Sequence, residues 1–171
     1  MVFIGFVNGN KSDNDIDIIH KVGINIGDIA PEISLQDPQG NTIALSSLRG
    51  KAVLIDFWAS WCRPCRMENP NVVAAYHKFK DWKFNSDTEG FTIFSVSLDT
   101  KKSSWINAIA KDGLVWDTHV SDFKGWKSLP VATYRVRGIP FAMLIDGKGV
   151  IVAIAPRGVA LEQALNELKT K

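Results

Sequence analysis

Two cysteines in 171 residues are too few for a disulfide-stapled scaffold, so the pair is left free for chemistry. Histidine is sparse too. His20, His77 and His119 are scattered with no ligand spacing, and one cysteine pair supplies only half of the four ligands a structural zinc wants, so no metal is expected. No apolar run approaches the roughly 18 residues of a membrane-spanning helix. The stretch 2–7 (VFIGFV) has no basic residue before it and falls short of the roughly 7–15-residue core of a secretory signal. The chain is therefore expected either to be cytoplasmic or to be a mature or trimmed piece of a longer precursor. A net charge of +2 without any basic run gives no sign of nucleic acid or a membrane surface as partner. Repeats, low-complexity tracts and internal linkers are absent.

What is there is an ordinary globular composition, 46% hydrophobic and 22% charged, in a length that suits one domain with one core. The chain is organised around residues 53–70, VLIDFWASWCRPCRMENP. An apolar run reads as a buried strand, the segment after the cysteines reads as a helix, and Cys62 and Cys65 fall at the turn between them. Unpaired N–H groups and the helix dipole make that position favourable for a thiolate, the reactive form of cysteine.

Residues 1–25 read as a loosely ordered arm or linker, with 8–17 (NGNKSDNDID) polar throughout, and the domain proper as 26–171. Two short alternating segments, 33–35 and 42–45, flank Asp37, Pro38, Gln39 and Gly40, which are turn formers, and predict a β-hairpin. Residues 52–59 are apolar on both faces apart from Asp56, as a central strand covered by helices would be. A helix is predicted over 63–82, with Pro64 in its first turn, Val72, Val73, Tyr76 and Phe79 as its apolar stripe, and a kink at Pro70. A strand over 91–98 completes a right-handed parallel βαβ unit. Then follow a helix over 103–111, a short strand over 115–120 and an irregular stretch over 123–136 with a helical turn or two. A hairpin of 141–146 with 150–155 and an amphipathic helix over 160–169 close the chain.

A cysteine pair at this spacing can close a small ring and reopen it. Cys62, at the helix end, is expected to be the exposed attacking sulfur, and Cys65, one turn in, the more buried resolving one. Arg63 adds positive charge beside Cys62 and favours its thiolate. An inert structural disulfide does not suit the exposed helix end. Burial should raise the pKa of Asp56 and let it take the proton of Cys65; the competing reading turns Asp56 to a sheet edge as a cap. Glu68 is either a tuner of thiolate stability opposing Arg63 or a solvated helix glutamate. Trp61 is expected on an apolar rim where a partner docks, and Trp58, Trp82, Trp105, Trp116 and Trp126 mostly in the core.

The stretch DFWASWCRPCRMENP closely resembles the active site of the thioredoxin superfamily. The resemblance implies that Pro140 is the cis-proline facing the redox pair, that the backbone of Ile139 pairs with a substrate chain, and that Pro70 and Asp56 are the family's helix proline and buried acid. A nearer likeness is to the TlpA/ResA-like branch. It rests on the segment IAPEISLQDPQGNTIALSSLRGK, on Glu68 within WCRPCRMENP, and on the inserted stretch after the 91–98 strand; it covers about 27–169. It implies an α/β, thioredoxin-like three-layer sandwich: a central mixed sheet with helices on both faces and an N-terminal hairpin extension. It also implies a periplasmic or membrane-anchored location and service often as a reductant.

The function expected is thiol–disulfide oxidoreduction on protein disulfides and dithiols, with no cofactor beyond the Cys62–Cys65 disulfide and with an unidentified redox donor or acceptor. Cys62, Cys65, Asp56 and Glu68 carry the chemistry; Trp61, Arg63, Pro64, Ile139 and Pro140 meet the substrate; a monomer is expected. Two alternatives stand beside it. One is a peroxide reductase, although Ala59 occupies the position three before Cys62 where the peroxiredoxins have threonine. The other is a redox-inactive binding module docking an extended segment at Trp61 and Ile139.

Overall fold

The structure, a computed structural model, describes residues 20–170. The first elements are the strands β1 (Ser34–Gln36) and β2 (Thr42–Ala44), paired antiparallel as the expected hairpin. The Asp37 carboxylate builds its turn by accepting the N–H groups of Gln39 and Asn41, both at 2.8 Å. The hairpin is tied to the main sheet where the Ser121 N–H donates to the Gln36 carbonyl. Of the arm expected over 1–25, residues 1–19 lie outside the described residues. Gly23 bonds to Ile29, which bridges Val22 and Val150.

The core strand β3 (Ala52–Trp58) is buried along its whole length. It can be, because on one side it pairs in parallel with all seven residues of β6 (Phe91–Ser97), and on the other antiparallel with β8 (Phe141–Ile145). Every backbone polar group of such a strand has a neighbour to bond, so apolar side chains are free to cover both faces. Strands β7 (His119–Val120) and β9 (Ile151–Ile154) flank these to complete a mixed five-stranded sheet in the order β7-β6-β3-β8-β9.

Between β3 and β6 runs helix α1 (Arg63–Phe79). Pro70 lies inside it and removes the helical bond to the Arg66 carbonyl. The helix stops three residues before the expected end. The chain turns at Lys80, because the Lys80 and Trp82 carbonyls accept the N–H groups of Phe91 and Gly90 instead of continuing the helix. Gly90, at φ +86° and with the Lys80 carbonyl 3.0 Å from where a Cβ would sit, makes that close approach possible. A small hairpin of β4 (Lys83–Asn85) and β5 (Thr88–Glu89) fills the gap; the polar segment that forms it carries no strand pattern.

Helix α2 (Lys102–Lys111) follows β6. The strand expected over 115–120 shrinks to β7, since only His119 and Val120 reach β6. The irregular stretch resolves into a helical turn at Gly125–Lys127 and the short helix α3 (Leu129–Thr133). Tyr134 then packs on Phe57 with ring centroids 5.4 Å apart. Helix α4 (Val159–Glu167) closes the chain, its Glu162 paired with Lys78 of α1 at 2.6 Å.

The register gathers the functional loops at one end of the sheet. Strands β3, β6, β7 and β9 all finish there, and β8 begins there: Trp58 lies beside Ser97, and Phe57 opposite Phe141. The connections over 59–62, 98–101, 121–140 and 155–158 therefore meet at that end.

Candidate active site

Cys62 is the N-cap of α1 and is joined to Cys65 by a disulfide, S–S 2.03 Å and Cα–Cα 5.3 Å. The Cys62 sulfur accepts the Cys65 N–H at 3.2 Å, one of the donors that a helix start leaves unpaired. The expected contrast of an exposed Cys62 and a buried Cys65 does not hold for this oxidised pair, whose residues are 4% and 2% exposed. As the N-cap, Cys62 turns its sulfur back over the first turn of the helix to the Cys65 N–H. Arg63 and Pro64 are exposed beside it, and Trp61 is 55% exposed.

The turn that carries the pair is held from two sides. From β6, the buried Asp99 carboxylate accepts the Ser60 N–H at 2.9 Å, the Ser60 hydroxyl, and the Ser97 hydroxyl at 2.7 Å. From α1, the Arg66 guanidinium donates to the Ser60 carbonyl at 3.0 Å and to the Asp112 carboxylate through Nη2 at 2.6 Å. Asn69 donates to the same carboxylate at 2.7 Å. Burial pushes Asp112 up, but the hydrogen bonds from Arg66 and Asn69 outweigh it and hold the carboxyl below its ordinary value. Sequence reasoning missed Asp99, Arg66 and Asp112. The parallel pairing of β3 with β6 was the available signal for Asp99, since it sets a carboxylate just past β6 next to the turn just past β3.

Asp56 sits in the middle of the central strand, 9% exposed, so the edge-cap reading fails. Desolvation pushes its pKa up to about 7; Arg157 pulls it down and Glu68 adds to the rise. Glu68, half-buried, accepts the Gly158 N–H at 2.8 Å and the Asn71 amide at 3.0 Å. Its contacts thus run to the chain before α4 and its field to Asp56. The Ile139–Pro140 bond is cis and leads directly into β8. Arg157, unmarked in the sequence, donates from its guanidinium to the Pro140 carbonyl.

His119 is buried against Trp116, ring centroids 5.4 Å apart, and burial pushes its pKa down to about 4. Among the tryptophans expected inside, Trp58, Trp105 and Trp116 are buried, whereas Trp126 is 49% exposed. Its helical turn begins at Gly125, φ +56°, where a Cβ would lie 3.3 Å from the Thr100 methyl. Among the described residues no helix is long and apolar enough to cross a membrane.

The arrangement is a ring-forming dithiol at a helix N-terminus, at the sheet end where β3, with its buried acid, finishes and where the cis-proline leads into β8. Comparison with known proteins points the same way. A match to the AhpC/TSA family spans residues 26–154. The chain is 32% identical to the thiol-disulfide oxidoreductase ResA of Bacillus thuringiensis over 77% of its own length and 70% of that protein's. It is 33% identical to the thioredoxin-like protein YneN of Bacillus subtilis over 77% and 71%. The crystal structure of the thioredoxin domain of a thiol-disulfide oxidoreductase from Bacteroides vulgatus superposes with TM-score 0.74 at 34% identity, covering 85% of this chain and 98% of that one. A thiol:disulfide interchange protein from a Bacteroides species gives 0.73 at 33%, covering 86% and 92%. The site is that of a thiol–disulfide oxidoreductase with a thioredoxin-like fold. The chain belongs to the AhpC/TSA family and stands within it beside the ResA-type proteins.

Proposed function

We propose that the chain reduces protein disulfides outside the cytoplasm, working as a monomer on the periplasmic side. The Cys62–Cys65 disulfide at the N-cap of α1 carries this reading. In the reduced protein the Cys62 thiolate attacks one sulfur of a substrate disulfide. The other substrate sulfur leaves as a thiolate and takes a proton from solvent. Asp56 then accepts the proton of Cys65, and the Cys65 thiolate attacks the Cys62 sulfur. The second substrate sulfur is expelled and Cys62–Cys65 closes. Two electrons have passed from the pair to the substrate, and a donor dithiol restores them by the same steps in reverse.

Three observations support the roles. Asp56 has a pKa of about 7, where a carboxylate can both take and return a proton at neutral pH. Half-buried Ile139 and cis-Pro140 lead into β8 at the sheet end where Cys62 lies, which supports a substrate strand pairing there. Carboxylates at Asp56 and Glu68 disfavour a thiolate nearby, which supports the reducing direction. The periplasmic side rests on the likeness to the TlpA/ResA-like branch. Ala59 stands where a peroxidase of the wider family would need threonine, so peroxide reduction is not favoured.

The test is turnover of a protein disulfide by the reduced chain. Cys62→Ser should abolish it, and Cys65→Ser should stall as a mixed disulfide on Cys62. Full turnover by Cys65→Ser would overturn the two-cysteine mechanism.

A further inference from the structure

We propose that the connection from Phe123 to Arg137 is a docking platform for an acidic segment of the substrate protein. The proposal rests on the exchange reading above and adds the chemistry of the partner.

The first observation is a local excess of positive charge. The connection carries four exposed cations, Lys124, Lys127, Arg135 and Arg137, against one carboxylate just before it, Asp122. At the active-site end, Arg63, Lys101, Lys124, Lys127, Arg135 and Arg137 are all exposed, and among the described residues none is in an ion pair. The carboxylates near them are already engaged. Asp99 is buried under three hydrogen bonds, Asp112 is held by Arg66, Glu68 bonds Gly158, and half-buried Asp122 caps the Lys124 N–H at 3.1 Å.

The second observation is apolar. The turn holding Lys124 and Lys127 also exposes Trp126, and the next one exposes Leu129, 74% accessible. Loose cations on a loop are usually just solvated, but large apolar side chains interleaved with them make a patch that water serves poorly. Position is the third observation. Gly125 packs on Leu98 and Thr100, next to the Asp99 carboxylate that holds the Ser60 turn, so this patch adjoins the turn presenting Trp61 and Cys62. The last is conformational. Phe123 and Arg135, which bracket the patch, both adopt positive φ, 56° and 52°. Side chains are strained in that region, and the strain persists where the surrounding structure imposes it, as it does at displayed binding surfaces.

Such a rim steers an acidic chain toward the cysteines, and Trp126 and Leu129 give it an apolar hold. The step it serves is the first attack, so its signature belongs in kcat/KM and in salt dependence.

The experiment compares two disulfide-linked peptides of equal length, flanked by glutamates or by lysines, with neutral bis(2-hydroxyethyl) disulfide as control. The reduced protein should favour the glutamate peptide at low ionic strength by about tenfold or more, with the preference collapsing toward molar salt. Lys124→Glu with Lys127→Glu should reverse the preference and leave turnover of the neutral disulfide alone. Equal rates on the two peptides, or a preference that the double variant leaves in place, overturn the platform. A failure of the parent protein to reduce the neutral disulfide overturns the exchange reading itself.

Discussion

The Glu68 carboxylate accepts the backbone N–H of Gly158 at 2.8 Å, across 90 residues of sequence. The neighbouring Arg157 side chain reaches the carbonyl of Pro140. Two adjacent residues before α4 thus tie the active-site helix to the cis-proline loop, and Glu68 and Arg157 bring opposite charges to bear on Asp56 beneath.

That arrangement predicts a pair of opposite shifts. Asp56 is raised first by burial, is lowered by Arg157 and is raised further by Glu68. If Asp56 takes the Cys65 proton, Arg157→Ala should move the pH midpoint of mixed-disulfide resolution up, and Glu68→Gln should move it down. Stopped-flow release of the second substrate thiol, followed across about pH 5–9 to bracket the Asp56 midpoint, reads it. A merely structural role for Arg157 would lower the amplitude or the stability and leave the midpoint in place.

Stability against pH carries a second prediction, with the sign set by proton binding. Asp56 has a folded pKa near 7 against about 3.9 unfolded, so between those values the folded state binds more protons and stability falls as pH rises. His119 has a folded pKa near 4 against about 6.5 unfolded, so there the unfolded state binds more and stability rises with pH. The windows overlap and the slopes oppose, which flattens the profile of the natural chain between about pH 4 and 6.5. Asp56→Asn removes one arm. It should be more stable than the parent at about pH 8 by a few kcal/mol, since each pH unit between the folded and unfolded pKa values is worth about 1.4 kcal/mol. The gap should close below about pH 4, where Asp56 is protonated in both states. Urea unfolding at several pH values measures it.

A third prediction concerns the turn. Asp99→Ala leaves the Ser60 N–H and the Ser60 and Ser97 hydroxyls without their shared acceptor in a buried site. Destabilisation of about 3 kcal/mol is expected by chemical denaturation, as for other buried hydrogen-bonded carboxylates. Turnover should fall by more than the unfolded fraction explains, because the turn also places Cys62.

Most of the fold could be read in the chain because its signals are local. The run 52–58, apolar on both faces apart from Asp56, reads as a central strand; Pro64 beside the cysteines marks the helix start; Asp37 and Gly40 mark the hairpin turn. The errors fall where tertiary bonds override local pattern. The helix over 63–82 stops at Phe79 because Lys80 and Trp82 give their carbonyls to Phe91 and Gly90. At the site, Cys62, Cys65, Asp56, Glu68 and Pro140 sit in or beside recognisable spacing. Asp99, Asp112 and Arg157 do not. Asp99 bonds Ser60 across 39 positions, Asp112 bonds Arg66 across 46, and Arg157 bonds Pro140 across 17, contacts that exist only once the chain has folded. The burial of Cys62 differs from the expected exposure because capping draws its sulfur back onto the helix start.

The reducing role stands or falls on the reduction potential of the Cys62–Cys65 couple. The protein would be equilibrated in graded dithiothreitol buffers, its free thiols trapped and the two species counted by mass. One reversible two-electron transition is expected near the reducing end of the thioredoxin-fold range, about −270 mV. A potential near the oxidising end, about −120 mV, would refute the reducing role, and a pair that never opens at any accessible potential would refute thiol–disulfide exchange altogether.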